Sequence, residues 1–351
     1  MKDCLVCVGV LLASMFLGRD AGAQQVKLRA AIQLPIAAGS LQGDTLKRFK
    51  EEVERRSNGT VAVVIFDNGT LFGDAQMVDA VASGAVEIGI TASQEYVERA
   101  PSLAILDLPF FFNFRALAEA AAKPNGELRR LIDATLLTDV GLRVLLWQSI
   151  GDTHFFSKGR DVADPARLKD QRVVTPGDAL NDFVVSCGGK PTTAPVFKFH
   201  DLIKGGTHDA ALMTLSGVNV LNLWKVQDTI TLTTHARVEF ILVINDRVWK
   251  ALSPRHRAVM MEAARAVERE GRARLAEVEK EDERFARSKG IKLVPLTPDQ
   301  VAEWRACTAD LVIKYMEKNG EKARRLMSAY RKLRTDPCCT EIPGNAVFTR
   351  H

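Results

Sequence analysis

Short runs rich in β-branched residues alternate with longer segments of helical periodicity along most of the chain, and this alternation constrains the fold more than any other feature. The clearest run, TVAVVIF from Thr60, has no polar interruption, as expected for a strand of a parallel sheet that is covered on both faces. Helical segments separate the further runs, which are VKLRAAIQL, VEIGIT, GLRVLLWQS, QRVVTP and AALMTL. The alternation predicts an α/β fold with parallel sheets.

One predicted helix is much longer than a small domain is wide. It begins after Ser253, which can act as N-cap, with Pro254 at the first helical position,. Apart from Gly271, no breaker follows before about Ser288, so the helix spans about 50 Å,. Further on, the segment Thr297-Pro298-Asp299-Gln300 is a capping box,. It predicts another helix that runs to Asn319-Gly320, followed by a shorter helix and a loose tail over 335–351.

The first residues have the pattern of a secretory signal peptide. Lys2 precedes an apolar run from Cys4 to Leu17, and Ala21-Gly22-Ala23 provides an A-x-A cleavage site,. The run is shorter than the roughly 20 apolar residues that span a bilayer. We therefore expect residues 1–23 to be removed and a mature chain, soluble and periplasmic, to begin at Gln24.

The composition offers little support for catalysis or for nucleic-acid binding. The formal charge of +5 is spread over interspersed acidic and basic residues, without the basic patch of a nucleic-acid-binding protein. Nucleophile elbows, zinc-protease motifs, phosphate loops and dinucleotide fingerprints do not occur. The histidines are scattered rather than spaced like metal ligands, among them His154, His200, His208 and His235. We expect no enzyme activity, no metal and no cofactor.

Four cysteines remain after the signal peptide, and an oxidising compartment allows them to form disulfides. We expect Cys307 to bond to Cys338 or Cys339 and so to pin the tail, while Cys187 stays a thiol in an α/β core. A strained vicinal bridge between Cys338 and Cys339, or no bridge at all, remains open.

Taken in order, several segments of the mature chain resemble the substrate-binding proteins of tripartite ATP-independent periplasmic (TRAP) transporters, of the DctP type. The segments that carry the resemblance are NGTVAVVIFDNGTLFGD, SGAVEIGI, LDLPFFF, GLRVLLW, GTHDAALM, WKVQDTITLTTH and INDRVWKALS. Each is weak alone, but the ordered series covers nearly the whole mature chain.

The resemblance implies a two-lobed periplasmic-binding-protein architecture of the α/β class, with mixed sheets, an interlobe cleft and a long bridging helix. Lobe I would comprise 24–147 and about 236–253, and lobe II would comprise 148–235 with C-terminal segments. The helix over about 254–288 would brace both lobes. The chain would cross between them near Gln148 and His235.

The resemblance also aligns this chain with the family's ligand-binding positions, and several of them have changed. In the family an arginine two residues before a strand's proline binds the substrate carboxylate, and the segment LKDQRVVTP places Val174 there. The family's second basic residue, its helix glutamate and its asparagine align with Thr153, Lys198 and Met213. Valine cannot replace a guanidinium. The family's carboxylate clamp is therefore in doubt.

Two cations remain as alternatives to the missing arginine. Arg172 would lie about 7 Å from Val174 on the same strand face, although the family usually has a solvated lysine there, which favours a surface position. Lys198 is equally a ligand-facing cation or a solvated helix lysine. In the first lobe, four polar residues match cleft-lining positions, although each could equally serve as a cap or turn residue. The complete predicted ligand-binding set is Gln33, Asp74, Ser93, Gln94, Gln148, Thr153, Val174, Lys198 and Met213.

Together these features predict a monomeric extracytoplasmic receptor for a small organic molecule that is not a simple dicarboxylate. Its partners would be the permease subunits of a TRAP-type secondary transporter. A solute-binding sensor and a receptor for an ATP-driven importer are the alternatives. An enzyme would need a nucleophile or metal constellation that the sequence does not display.

Overall fold

The computed structural model describes residues 25–36 and 40–339. The predicted signal peptide over 1–23 and most of the predicted tail, from 340 onward, lie outside the described residues. Within the described part, no helix is both long and apolar enough to cross a membrane.

Within residues 25–36 and 40–339, nine strands form one mixed sheet that runs through both lobes of an α/β molecule. Their order across the sheet is β2-β1-β3-β8-β4-β7-β5-β6, and β9 pairs with β8. The strands are β1 Val26–Ala31, β2 Val61–Phe66, β3 Ile88–Ala92, β4 Leu142–Ser157, β5 Arg172–Thr175, β6 Lys190–Thr193, β7 Ala210–Thr214, β8 Thr229–Asn245 and β9 Lys292–Pro295.

Helices cover this sheet, as the alternation in the sequence predicts. They are α1 Leu41–Arg56, α2 Asp74–Ser83, α3 Arg115–Ala121, α4 Glu127–Thr135, α5 Pro165–Leu168, α6 Asp178–Ser186, α7 Phe199–Lys204, α8 Leu215–Val220, α9 Asp246–Ala251, α10 Pro254–Ser288, α11 Pro298–Cys307 and α12 Ala309–Thr335. Two short 3₁₀ helices, Ser93–Tyr96 and Pro101–Asp107, follow β3.

The expectation of parallel sheets is correct for the outer strands and wrong for the centre. Strands β1, β2 and β3 pair in parallel on one side, which we call the first lobe, and β5 pairs in parallel with β6 and β7 in the second. The long strands β4 and β8 pair antiparallel with each other, β8 pairs antiparallel with β3, and β4 pairs antiparallel with β7, whereas the short β9 pairs in parallel with β8. Because these two strands run through both lobes, they carry the chain in opposite directions and make the sheet mixed.

The long helix is confirmed with the predicted start and end. The Ser253 hydroxyl accepts a hydrogen bond from the amide of His256, and α10 continues for 35 residues. In the first lobe its Glu270 forms an ion pair with Arg48 of α1, at 2.6 Å. Towards the second lobe, the amide of Asn219 in α8 donates to Asp282 at 2.7 Å. The helix therefore bridges the two lobes.

The C-terminal helices differ from the expectation in two places. The capping box at Thr297 and Gln300 is present, but the helix that it begins ends at Cys307 instead of continuing to Asn319. A second helix, α12, then runs from Ala309 to Thr335 and is kinked at Gly320, whose φ is +52°. A positive φ is accessible to glycine at little cost. The chain therefore bends at Gly320 where the sequence predicts a turn.

The predicted cysteine pairing is wrong, since Cys307 is bonded to Cys187. Cys187 directly follows α6 and Cys307 ends α11, and these helices meet in the second lobe, where Trp304 packs on Phe183 at 5.5 Å between ring centroids. Cys339 is buried in the first-lobe cluster, with its sulfur 3.8 Å from the carbonyl oxygen of Ala116. The tertiary packing thus places Cys307 beside a partner 120 residues away. The side chain of Cys338 lies outside the described part.

Candidate functional site

A cavity of about 1090 Å³ lies between the two lobes. Its first-lobe wall is formed by residues at the ends of β1 and β3, the first turn of α2 and the two 3₁₀ helices. Its second-lobe wall is formed by β4, β7, α8 and the loop after β5. A cleft at the carboxyl ends of parallel strands is the usual ligand position in open α/β sheets.

Gln33, Asp74 and Gln94 supply part of the polar surface of the first-lobe wall. Asp74 is the first residue of α2, and its Oδ1 accepts a hydrogen bond from the buried Thr91 hydroxyl at 2.8 Å. The pKa of Asp74 is raised to about 8, mainly by burial; the Thr91 hydroxyl opposes this rise and the Glu95 carboxylate adds to it in smaller measure. At neutral pH this carboxyl group is therefore mostly protonated.

Asp107 also lines the cavity, and the sequence analysis did not single it out. It ends the second 3₁₀ helix and is only 3% exposed. Neither of its carboxyl oxygens has a hydrogen-bond partner within the described residues. Burial raises the pKa of Asp107 to about 7, although the neighbouring Gln94 amide lowers it in smaller measure. An acidic residue enclosed by the apolar segment LAILDLP was the signal that could have identified it.

Thr153 and Met213 lie in the second-lobe wall. Thr153 is on β4, where it pairs with Thr214 of β7. Its hydroxyl is buried and has no hydrogen-bond partner in the described part of the chain. Met213 adds an apolar surface next to it, and its sulfur leaves no room for a side chain at Gly217, where a Cβ atom would approach to 2.6 Å.

Four residues of the predicted set lie elsewhere. Val174 is fully buried in a hydrophobic cluster with Phe156 and Ala211, and Ser93 is fully buried behind the first-lobe wall. Gln148 is also buried, and its amide bonds to Ser149 and Thr45.

Lys198 is exposed at the start of α7, outside the residues that line the cavity. The five predicted residues that do line it are Gln33, Asp74, Gln94, Thr153 and Met213.

Arg172 does not point to the cavity. Its guanidinium binds Asp209 through two nitrogens, at 2.6 and 3.0 Å, and its side chain is 49% exposed. This ion pair favours the surface interpretation over a role as a replacement clamp.

The charge of the cavity wall is predominantly negative. Among the described residues, its lining includes no arginine or histidine, and its two lysines, Lys314 and Lys318, are exposed on α12. Five acidic side chains line the same space, namely Asp74, Glu95, Glu98, Asp107 and Asp182. The cavity therefore lacks the guanidinium that best matches a carboxylate.

The two lobes approach each other across the cleft at Gly177 and Gln94. A Cβ atom added to Gly177, in the loop after β5, would be 3.7 Å from the Cβ atom of Gln94. A side chain at position 177 would therefore be in van der Waals contact with Gln94 of the first lobe.

The buried histidines of the central strands are structural and neutral. His154 accepts a hydrogen bond from the amide of Thr234, and burial lowers its pKa to about 3. His235 bonds to the Thr233 hydroxyl and stacks on Phe183, and burial also lowers its pKa. Within the described chain, no group of three His, Cys, Asp or Glu side chains is arranged to hold a metal.

Comparison with known sequences identifies one matching family model, the bacterial extracellular solute-binding protein family 7 (DctP), over residues 35–319. A solute-binding protein from Verminephrobacter eiseniae is 27% identical over 264 residues, which are 75% of this chain and 78% of the relative. The C4-dicarboxylate-binding protein DctB of Bacillus subtilis is 22% identical and covers 87% of this chain and 91% of its own.

Solved structures share the fold at low sequence identity. A Bordetella pertussis extracytoplasmic solute receptor that binds pyroglutamic acid has a TM-score of 0.81 and 20% identity, covering 87% of this chain and 99% of its own. A TRAP periplasmic solute-binding protein from Shewanella oneidensis, with bound succinate, has a TM-score of 0.79 and 23% identity at the same coverage. These similarities match the two-lobed architecture described above.

Proposed function

Since the chain belongs to family 7 of the bacterial extracellular solute-binding proteins, the DctP family, we propose that its interlobe cleft binds a small organic molecule other than a simple dicarboxylate. The protein is an extracytoplasmic solute receptor that binds a small organic molecule and delivers it to a TRAP-type secondary transporter. A role as a sensor or as the receptor of an ATP-driven importer is not favoured. The family and its fold are those of binding proteins, and we propose that this chain has no enzyme activity.

The charge of the cleft is the observation that carries the proposal on the ligand. The relatives named above bind C4-dicarboxylates, pyroglutamic acid and succinate, all of which carry carboxylates. Here the predicted clamp position is Val174, which is fully buried, and the described cavity lining includes no arginine. A buried carboxylate without a paired donor is costly. Binding of a dicarboxylate would bury two such carboxylates and would carry this free-energy cost for each of them.

We propose that Gln33, Asp74, Gln94, Thr153 and Met213 contact the ligand, because all of them line the cavity. Ser93, Gln148 and Val174 are buried, and we propose that they support the cavity-lining residues without contacting the ligand. Lys198 would reach the ligand only after the lobes close, since it follows the cavity-lining Phe197.

Calorimetric titration with succinate and malate tests the ligand proposal. We expect no tight binding, because two carboxylates would meet acidic walls without a guanidinium. The Lys198→Ala and Arg172→Ala variants are the matched controls, since they remove the two alternative cations. Tight succinate binding that persists in both variants would overturn this view of the cleft.

We further propose that the lobes comprise 24–147 with 236–253 and 148–235 with C-terminal segments, joined by hinge strands near Gln148 and His235. Irregularities in the β4–β8 ladder between Ser149 and Asp152 support this position. Small-angle scattering should show a smaller radius of gyration with saturating ligand. Unchanged dimensions would count against hinge closure.

Residues 1–23 carry the proposed signal peptide, and the mature receptor would be a periplasmic monomer. N-terminal sequencing of protein recovered from the periplasm should begin at Gln24. Sedimentation equilibrium should give the mass of one chain. A retained leader, or the mass of a dimer, would contradict the respective part of the proposal.

A further inference from the structure

We propose that the cleft recognises its ligand through a primary or secondary ammonium group, which Asp107 and Asp74 bind from the first lobe. The inference rests on the proposed function and names the class of solute: a small organic amine with an apolar or hydroxylated body. The charge of this solute is opposite to that of the acids bound by the relatives described above.

The strongest observation is the state of Asp107. Its side chain is 3% exposed, it lines the interlobe cavity, and neither carboxyl oxygen has a hydrogen-bond partner within the described residues. A buried carboxyl group without a donor is costly. A ligand that brings N–H donors removes this cost when it binds. Burial raises the pKa of Asp107 to about 7 because it outweighs the lowering effect of the neighbouring Gln94 amide.

Asp74 places a second carboxyl group on the same wall. Its Oδ1 is held by the Thr91 hydroxyl at 2.8 Å, so that the side chain has a fixed orientation at the start of α2. Gln94 lies in the same wall and next to Asp107, whose pKa it influences. Asp107 and Gln94 thus offer neighbouring acceptors, with Asp74 on the same wall, and an ammonium group has up to three N–H bonds to donate,.

The acidic residues around the cavity favour a ligand that is positively charged, in addition to one that donates hydrogen bonds. Five acidic side chains and two exposed lysines line the described cavity, and the acidic groups still outnumber the lysines when Asp74 is protonated. Charge-assisted hydrogen bonds are roughly twice as strong as neutral ones. A cation therefore gains from both effects, whereas a carboxylate would have to bind beside Asp107 with one of the two groups protonated.

The opposite wall suits the body of such a ligand. Leu212, Met213 and Val220 give the second-lobe wall an apolar surface, and Thr153 contributes a buried hydroxyl that can donate or accept. An amine with a short carbon chain or ring would place its charged end on the first lobe and its body on the second. Closure of the lobes would then bury both ends.

Matched series of ligands that share a carbon skeleton provide the test. The amine series consists of putrescine and D-glucosamine, the acid series of succinate and D-glucuronate, and the neutral series of butanediol and D-glucose. Thermal shift identifies binders, because a ligand of the folded state raises Tm, and calorimetry then measures Kd. Choline serves as a cation without an N–H bond.

We expect at least one amine to raise Tm, while its matched acid and neutral compound do not. Choline should bind at least about tenfold more weakly than the best amine, since it cannot donate. Asp107→Asn should weaken amine binding by about tenfold or more, because the amide keeps the shape and loses the charge. Glu317→Gln on α12, an exposed position outside the cavity lining, should change Kd by less than about twofold,.

Asp107→Asn should fold, since it removes no hydrogen bond of the described structure, and an unchanged or raised Tm without ligand verifies this. The amine proposal is overturned if no amine binds, if a neutral compound or D-glucuronate binds as tightly as its matched amine, or if Asp107→Asn binds amines normally. These results leave the proposed function intact. Tight succinate binding that persists in Lys198→Ala and Arg172→Ala contradicts the proposed function itself.

Discussion

Replacing Gly271 by alanine should destabilise the protein, although alanine is the better helix former. Gly271 lies in the interior of α10, where helix propensity alone favours alanine by about 1 kcal/mol,. A Cβ atom at this position would lie 2.0 Å from Oε1 and 3.0 Å from Cδ of Gln148. The side chain of Gln148, on the central strand β4, therefore occupies the space that a side chain at this position would need.

The expected loss of stability in Gly271→Ala follows from the contacts of Gln148 that the new methyl group would disrupt. Its side chain is fully buried, its Oε1 accepts from the Thr45 hydroxyl at 3.1 Å, and its Nε2 donates to the Ser149 carbonyl at 2.7 Å. Overpacking of a core typically costs about 1 to 3 kcal/mol. Loss of the Thr45 hydrogen bond adds about 1 kcal/mol. After the gain in propensity is subtracted, we expect a net loss of about 2 kcal/mol.

Urea unfolding followed by far-UV circular dichroism measures this loss as a lower midpoint at an unchanged m value. The matched control is Gly271→Ala in a Gln148→Ala background, where the amide is absent and alanine should stabilise by about 1 kcal/mol. A higher midpoint for Gly271→Ala in the wild-type background would refute the steric reasoning. Equal effects in the two backgrounds would show that Gln148 is not the obstacle.

Three further predictions concern the rest of the molecule. Cys307→Ser removes a bridge that closes 120 residues and should cost about 4 to 5 kcal/mol in the chain-entropy account; unfolding in urea measures it. Stability should fall by about 2 kcal/mol between about pH 6.5 and about pH 8.5, and Asp74→Asn/Asp107→Asn should abolish this fall,. Arg129→Met leaves the buried Glu268, 3.0 Å away, without that partner and should cost about 3 kcal/mol.

The sign of the pH prediction follows from the direction of the two pKa shifts. Both carboxyl groups have folded-state pKa values above their unfolded values, so they add stability at low pH that is lost as pH rises through about 7 and about 8,. The buried His154 and His235 have lowered pKa values and destabilise the fold only below about pH 6.5,. Stability that rises through the same window would contradict the reasoning.

The other two predictions have equally direct controls. Non-reducing peptide mapping should recover the peptide of Cys307 linked to that of Cys187, and recovery of Cys307 as a thiol would contradict the assigned bridge. For the ion pair, Arg129→Met/Glu268→Gln should regain part of the loss, because the uncompensated charge of Glu268 is removed while Asp133 still lacks its Arg129 partner,. If the double variant is no more stable than Arg129→Met, the unpaired charge of Glu268 is not the cause.

The fold class, the long helix and several element boundaries could be predicted from the sequence because they depend on local signals. Ser253 and Pro254 start α10, and Thr297 with Gln300 starts α11, through hydrogen bonds that span only a few residues. The run of apolar residues in β2, which has no polar interruption, is sufficient to predict a buried strand. The ordered resemblance of segments added the two-lobed architecture, which no local pattern contains.

Other features required the tertiary structure because they depend on contacts between distant parts of the chain. The bridge from Cys187 to Cys307 exists because α6 and α11 meet in the second-lobe core, and sequence spacing favoured nearer partners. Asp107 became a site residue only when the packing buried its carboxyl group in the cavity wall, where its only neighbouring donor in the described chain is the Gln94 amide.

The same distinction holds for the predicted ligand-binding positions. Alignment placed Val174 and Thr153 at comparable positions, yet one lies inside a hydrophobic cluster and the other on the cavity wall. Side chains alternate between the faces of a strand, so small irregularities of the ladder decide which residue faces the cleft. The sequence determined which chemical groups this protein has, and the tertiary structure decided which of them meet in the cleft, because burial and long-range pairing arise only when the lobes assemble.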